Sequence, residues 1–455
     1  MADSVTSPDT GNTLPLLRRP RVAKLLLIAL LAEIAYAVLN ISTMPVYLVG
    51  DRHLGEAGPG YVLVAFLFFE AVFKSPMGHL ADRFGPKRLM MLGPFISVAT
   101  SLISFAIPRT GGQPLEVLAF VCLRACDGLG AAMLWPAAFA AVGDAVEDGE
   151  RQQAMSLLNL CYMLGIAIAF PFGGAINDIT GTKWAGLVLA AGIFAAVGIC
   201  VWRFVPAIDS TLASKKEGSE SEFSSFLASV KQIPSYLILA VITFAGVGFP
   251  MAIFKLFTLD QFHLSETAVG LLVFPSALTM GIASVPVSRF GEKLGRARAV
   301  HIGLAGCSLG MWLIGIGAFV PALRSPWLFM LGGIPVGLGF LMAIPAWMAS
   351  VSDINPNCRG ANLGAVMTAQ GLGAIIGSPI GSSLYEKMQP VGKQLGLGID
   401  FGRYSPFLGC AVCATIGTVL SLRILSDHKV HSTVEVPSEP ATDQEKPILA
   451  DAPVE

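Results

Sequence analysis

Gly78-His79-Leu80-Ala81-Asp82-Arg83-Phe84-Gly85-Pro86-Lys87-Arg88 is a charged island between two long apolar runs. About 210 residues further on, Ser288-Arg289-Phe290-Gly291-Glu292-Lys293-Leu294-Gly295-Arg296-Ala297-Arg298 repeats its plan, with acid, base and glycine in register. Other pairs follow in the same order. Gly128-Leu129-Gly130 with Pro136 matches Gly337-Leu338-Gly339 with Pro345. Asp144 and Arg151 echo Asp353 and Arg359, and Pro171-Phe172-Gly173 echoes Pro379-Ile380-Gly381. Ordered matches of this kind indicate a duplicated unit, the internal symmetry of membrane carriers.

The rest of the chain fits that reading. Of 455 residues, 54% are hydrophobic and only 13% are charged. A soluble domain carries about 25% charge. So few charges cannot cover a water-facing surface of this size, so lipid must surround most of the chain. A net charge of -1 gives no reason to expect a nucleic-acid partner. The histidines are scattered. Cys122 and Cys126, and Cys410 and Cys413, lie in apolar runs and read as small packing side chains. No metal or cofactor is expected. H-E-x-x-H, P-loop and G-x-S-x-G patterns are missing from any plausible context, so the chain does not read as an enzyme.

A membrane-spanning helix needs about 20 apolar residues. Runs of that kind start near Val22, Gly60, Leu89, Leu115, Ala154 and Trp184, then near Pro234, Thr267, Val300, Pro326, Ala361 and Tyr404. This predicts an all-α membrane protein of twelve spans in two pseudo-symmetric six-helix bundles. The boundaries read as a tail over 1–21, bundles over 22–206 and 234–425, a Ser-, Glu- and Lys-rich linker over 207–233, and a disordered tail over 426–455. The first run follows Arg18, Arg19, Arg21 and Lys24 with no A-x-A-like cleavage site, so it is expected to be retained. Lys and Arg concentrate in the loops on the side of the N-terminus. This predicts a multi-pass cell-membrane protein with both termini cytoplasmic.

These residues resemble the major facilitator superfamily over nearly the whole chain between the tails. The segment from Gly78 to Arg88 is similar to the family's G-x-L-A-D-R-x-G-R-K loop motif, with Pro86 as a departure. The resemblance implies a latch between the bundles on the cytoplasmic side, formed by Gly78, Asp82, Arg83, Gly85, Lys87 and Arg88 with Glu292 and Gly295 of the second copy. On the residues alone, Gly78 reads as a close helix approach and Gly85 as a tight turn. Arg124-Ala125-Cys126-Asp127-Gly128-Leu129-Gly130 is similar to a family motif whose arginine is associated with proton transfer. Gly165 to Gly174 resembles the antiporter motif G-x-x-x-G-P-x-x-G-G, with its proline one place late and Ala169 for a glycine. Gly128, Gly130, Pro171, Gly173, Gly174, Pro379 and Gly381 also read as plain helix-packing positions.

Charges at bilayer depth cost at least about 2.5 kcal/mol on insertion scales, so they mark pathways. Glu33, Glu70, Arg124 and Asp127 stand mid-run, and all belong to the first half. Taking a carboxylate out of water favours its neutral form. Glu33 is therefore the leading proton carrier, with Glu70, Asp127 and Arg124 as modulators. Each has a bland alternative: Glu70 and Lys74 as an i,i+4 pair, and Arg124 as the partner of Asp127 or Glu33. Tyr36 and Asn40 share a helix face with Glu33 and are candidates for substrate hydrogen bonds. In the second half, Phe249, Phe274 and Trp347 are candidates for an apolar lining, and Lys255 is expected to snorkel to Asp260 or water.

The function expected is proton-coupled secondary transport of a small organic molecule, with efflux favoured and a monomer expected. The alternatives are proton-linked uptake of a metabolite, with Arg124 holding a substrate carboxylate, and a non-transporting receptor.

Overall fold

The structure is a computed structural model that describes residues 16–110, 114–147, 150–206, 230–354 and 359–425. Twelve helical rods run through these residues. The first, α1 (Pro20–Gly50), is interrupted by a π turn, Val38–Thr43. Then come α2 (Gly58–Phe84), α3 (Pro86–Ala106), α4 (Pro114–Gly143), α5 (Arg151–Thr180) and α6 (Ala185–Phe204). The second half holds α7 (Pro234–Met251), a short continuing helix Phe254–Phe262, α8 (Glu266–Leu294), α9 (Arg296–Gly315), α10 (Pro326–Ile354), α11 (Arg359–Gln394) and α12 (Ile399–Ile424). Ten helices among the described residues are long and apolar enough to cross a membrane; α2 and α8 complete the set of twelve rods. The expected starts lie within about five residues of the observed ones, inside the usual boundary error. The tails and the linker core, 207–229, lie outside the described residues.

The packing repeats. In the first half α1 packs on α5 and α6, α2 on α4, and α3 on α4 and α6. In the second half α7 packs on α11 and α12, α8 on α10, and α9 on α10 and α12. Every pairing recurs with the helix number raised by six. The halves meet along two seams, α5 with α8 and α2 with α11, which a two-fold exchange of the halves interconverts.

Lipid gives helices no hydrophobic reason to associate, so close backbone approach must hold them. At the α3–α4 crossing, a Cβ on Gly130 would stand 2.8 Å from Gly93 O. The α9–α10 crossing reproduces this: a Cβ on Gly303 would lie 2.5 Å from Gly339 O. Both loops of the repeat also turn alike. Gly85 has φ 87° and ψ 139°, and Gly295 has φ 90° and ψ 151°. This backbone region is open almost only to glycine. Gly85 thus makes the turn expected of it, and Pro86, at the first helical position of α3, needs no N–H there. Gly78 differs from expectation. A Cβ there would meet Pro136 at 3.7 Å, an ordinary contact, so among the described residues no close approach depends on it. The side chains of Asp82, Arg83 and Glu292 lie outside the described residues. The end of the bundle carrying these two turns is called the loop end, and the opposite end the far end.

Candidate functional site

The first half buries a polar network around Asp127 of α4. Asp127 Oδ2 accepts from Arg124 Nη1 at 3.1 Å and from Asn40 Nδ2 at 3.3 Å, while Oδ1 accepts from Thr100 Oγ1 at 3.4 Å. Arg124 and Asp127 are both fully buried. A buried pair survives only if its remaining groups are also satisfied. Asn40 and Thr100 do this for the carboxylate, although Arg124 Nε and Nη2 have no partner among the described residues. Asn40 sits in the π turn of α1 and also donates to Tyr36 O at 3.2 Å. The Tyr36 ring packs edge-on against Phe194, with ring centres 4.6 Å apart, and its hydroxyl accepts from Ser97 Oγ at 3.3 Å.

Beside this network lies a cavity of about 50 Å³. Glu33, Tyr36, Asn40, Glu70, Trp135 and Tyr162 of the first half line it, and Met251 of α7 contributes from the second half. Glu33 is buried, with Gly165 of α5 against its side chain. Among the described residues it makes no ion pair. Glu70 pairs with Lys74, Oε1 to Nζ, at 2.7 Å. Of four buried or half-buried charged side chains here, only Glu33 faces the cavity uncommitted. Arg124 bonds to Asp127, not Glu33, and does not line the cavity.

The second-half candidates stand elsewhere. Phe249 packs its backbone against Gly381 of α11 and its ring against Gly409 of α12. Trp347 is buried in the core of the second half with Val300, Leu304 and Val351. Phe274 is half-buried on α8. None of the three lines the cavity at Glu33. An apolar cavity of about 190 Å³ does occur in that half, walled by Phe254, Leu272, Met311, Phe329, Met330 and Phe407 among others.

At the far end, Lys255 departs most from expectation. It does not snorkel: it is buried, and Nζ donates to Glu266 Oε2 at 2.7 Å and to Ser42 O at 2.7 Å. The buried Glu266 carboxylate also accepts from Asn177 Nδ2 and from Lys183 Nζ, each at 2.9 Å. Asp178 accepts from the Thr267 N–H at 2.7 Å and its hydroxyl at 2.6 Å. Asp260, the partner expected for Lys255, takes the hydroxyl of Tyr385 instead. Gly173 and Gly174 of α5 make room: a Cβ on Gly173 would stand 2.5 Å from Ser42 Oγ, and one on Gly174 would strike the Glu266 carbonyl. Pro171 packs against Gly270 of α8. At the other seam, Gly60 of α2 approaches Ser378 and Ser382 of α11, and Pro379 lies between them. The Ala57 N–H donates to Glu386 Oε2 at 2.7 Å, and Gln389 Nε2 donates to Glu56 Oε2 at 2.6 Å. The far end is closed along both seams.

Duplicated halves, two symmetric seams and a polar cavity between them define one architecture. The sequence model of the Major Facilitator Superfamily matches residues 25–254 and 236–452. This chain belongs to the major facilitator superfamily. Curated relatives include Multidrug resistance protein 2 of Bacillus subtilis (strain 168), 27% identical over 385 residues, covering 80% of this chain and 89% of that protein. Multidrug resistance protein MdtL of Vibrio parahaemolyticus is 24% identical over 275 residues, covering 56% of this chain and 66% of its own length. Among solved structures, the nucleoside transporter NupG superposes with TM-score 0.67 at 14% identity, covering 89% of this chain and 98% of that one. A bacterial homologue of the lysosomal transporter Spinster, inward-facing and unoccupied, superposes with TM-score 0.69 at 15% identity, covering 89% and 97%. The superfamily transports small molecules across membranes by helical bundles of this kind, so the protein is a multi-pass membrane transporter and not an enzyme.

Proposed function

We propose that this protein is a proton-coupled exporter of small organic molecules. It works in the cell membrane as a monomer, with the loop end and both termini in the cytoplasm. The observation that carries the reading is Glu33: a buried carboxylate with no ion pair among the described residues, lining the cavity beside a residue of the second half. A carboxylate in that position takes up a proton when the cavity is dry and gives it up when the cavity opens to water. The closed far end supports a state whose cavity would next open toward the loop end, as alternating access requires. Efflux is favoured by the apolar cavity of the second half and by the multidrug-resistance relatives. The uptake reading gave Arg124 to a substrate carboxylate. Its commitment to Asp127 within the first half lends that reading less support.

The test reconstitutes the chain in proteoliposomes and records internal pH on adding a panel of amphiphilic fluorescent dyes. A dye that moves protons through the native protein, but not through Glu33→Gln, while still binding to that variant, is the expected result. Equal proton movement in both proteins would make Glu33 structural and sink the assignment.

A further inference from the structure

The π turn of α1 holds two different networks within three residues. Asn40 reaches inward to Asp127 Oδ2, and so to the Arg124 pair. Ser42 presents its carbonyl and hydroxyl oxygens to Lys255 Nζ at 2.7 and 3.1 Å. Lys255 in turn holds Glu266, on which Lys183 and Asn177 of the first half also converge. The turn is wide: the Met44 N–H reaches back five residues to Leu39 O. Such single π turns in otherwise α-helical rods concentrate at functional positions, because they release the regular carbonyl ladder and re-aim side chains.

We propose that this π turn couples the buried Asp127–Arg124 pair to a far-end latch formed by Lys255 and Glu266, with Asn40 and Ser42 as positioning residues. The charge arithmetic explains why the latch has two discrete states. Closed, it gathers Lys183 and Asp178 from the first half and Lys255 and Glu266 from the second, two cations facing two anions, with Lys255 and Glu266 buried and Lys183 and Asp178 capping them from the exposed rim. Opening takes Lys183, Asn177 and Ser42 away from their partners at one stroke. Lys255 and Glu266 belong to the same half and leave together, so neither charge is stranded. A shift in Asp127 alters what Asn40 is bonded to. Because Asn40 and Ser42 lie in one turn, that shift moves the acceptor on which Lys255 rests. A demonstrated two-state element biased by both ends is the physical warrant for coupling of this kind. The proposal rests on the alternating-access reading, but its test does not require transport.

Ser382 is buried under Gly60 at the other seam, and a cysteine there nearly matches its size. The experiment measures how fast Ser382→Cys reacts with a membrane-impermeant maleimide applied to right-side-out and inside-out vesicles. Reactivity of the same chain without Ser382→Cys is subtracted. Lys255→Met is expected to raise the far-end rate about tenfold or more. Asp127→Asn is expected to change it at least about fivefold in the native background, and less than about twofold when Asn40→Ala or Lys255→Met is also present. Asn40→Gln, which keeps an amide to offer Asp127, is expected to restore the larger response, which a merely structural role would not predict. If Asp127→Asn changes the rate by the same factor in all backgrounds, the coupling is absent. If Lys255→Met leaves the rate unchanged, there is no latch. The two backgrounds break the link at separate places, so either one that folds decides the matter. Loss of dye transport with the coupled rates intact would count against the transport reading alone.

Discussion

Gly165 stands against Glu33 so closely that a Cβ added to it would lie 2.7 Å from the Cβ of the glutamate. The glycine of α5 therefore sets where the acid of α1 can sit. Gly165→Ala must push Glu33 or α5 aside, because neither backbone has room to yield cheaply. Dye-driven proton movement should fall at least about tenfold in a protein that still folds, since small misplacements of a functional group cost about that much or more. Gly78→Ala, which meets only an ordinary contact with Pro136, should retain near-native flux. Parallel flux and circular-dichroism measurements on the two variants check this, and equal losses would refute it.

Among the described residues, Asp127 and Arg124 form the most deeply buried ion pair of the first half. Removing one partner leaves an unpaired charge out of water, at a cost of about 3–5 kcal/mol. Replacing both with apolar side chains of similar size costs much less. Arg124→Met and Asp127→Leu should each lower the thermal midpoint of the detergent-purified protein sharply, and the double variant should recover most of the loss. Additive losses would show that the two side chains are held by other partners.

The Gly85 and Gly295 turns should respond alike. Each has a positive φ that side-chain-bearing residues reach at a cost of about 1–3 kcal/mol. Alanine at either position should lower the thermal midpoint by a similar amount. The cost comes from the backbone, so no neighbouring substitution should rescue it. A neutral Gly295→Ala would mean that the second copy can relax its turn.

At the loop end, Arg19 grips Glu150 with both terminal guanidinium nitrogens, Nη1 and Nη2, at 2.6 and 2.7 Å. The hydrogen bonds from Arg19 hold the Glu150 carboxyl below its usual range. A depressed carboxylate stabilises the fold above its unfolded value, and that stabilisation is lost as pH falls through the folded value. Below the ordinary carboxylate range, the start of α1 should therefore lose amide protection, read as exchange relative to the intrinsic rate at each pH. Glu150→Gln should show fast exchange at neutral pH and little further change on acidification. Hydrogen exchange across residues 16–24 reads both outcomes.

Much of this architecture was legible in the chain because duplication writes the same signal twice. The Gly85 and Gly295 loops, and the glycines at 130 and 339, announce two bundles before any helix is placed. The charges were legible as a set but not as pairs. Asp127 draws Thr100 from α3 and Asn40 from α1, uncharged residues whose part depends on helix crossings that no local pattern encodes. Glu266 was missed for a plainer reason. It opens α8 where a boundary shifted by one residue makes it a loop acid, which leaves Asp260 as the acid nearer to Lys255 in the chain. The π turn leaves no mark in hydropathy at all. The apolar residues of the second half misled differently: Phe249 and Trp347 are large and buried, but a large buried ring is as often core as lining.

Every buried bond around Asp127 joins helices of the first half alone, through α1, α3 and α4. Hydrogen-bonded polar cores resist shear, because sliding one member strands all the others. The second half is held by glycine crossings and rings, with hydroxyl and ring bonds such as Ser308–Thr415 and His301–Ser421 between α9 and α12, but among the described residues its centre holds no buried ion pair that ties three helices together. When the two seams part, the first half should therefore swing as a stiff lever, while the second adjusts around it as a compliant bearing. Mechanical compliance in this carrier would then belong to one ancestral copy, and chemistry to the other.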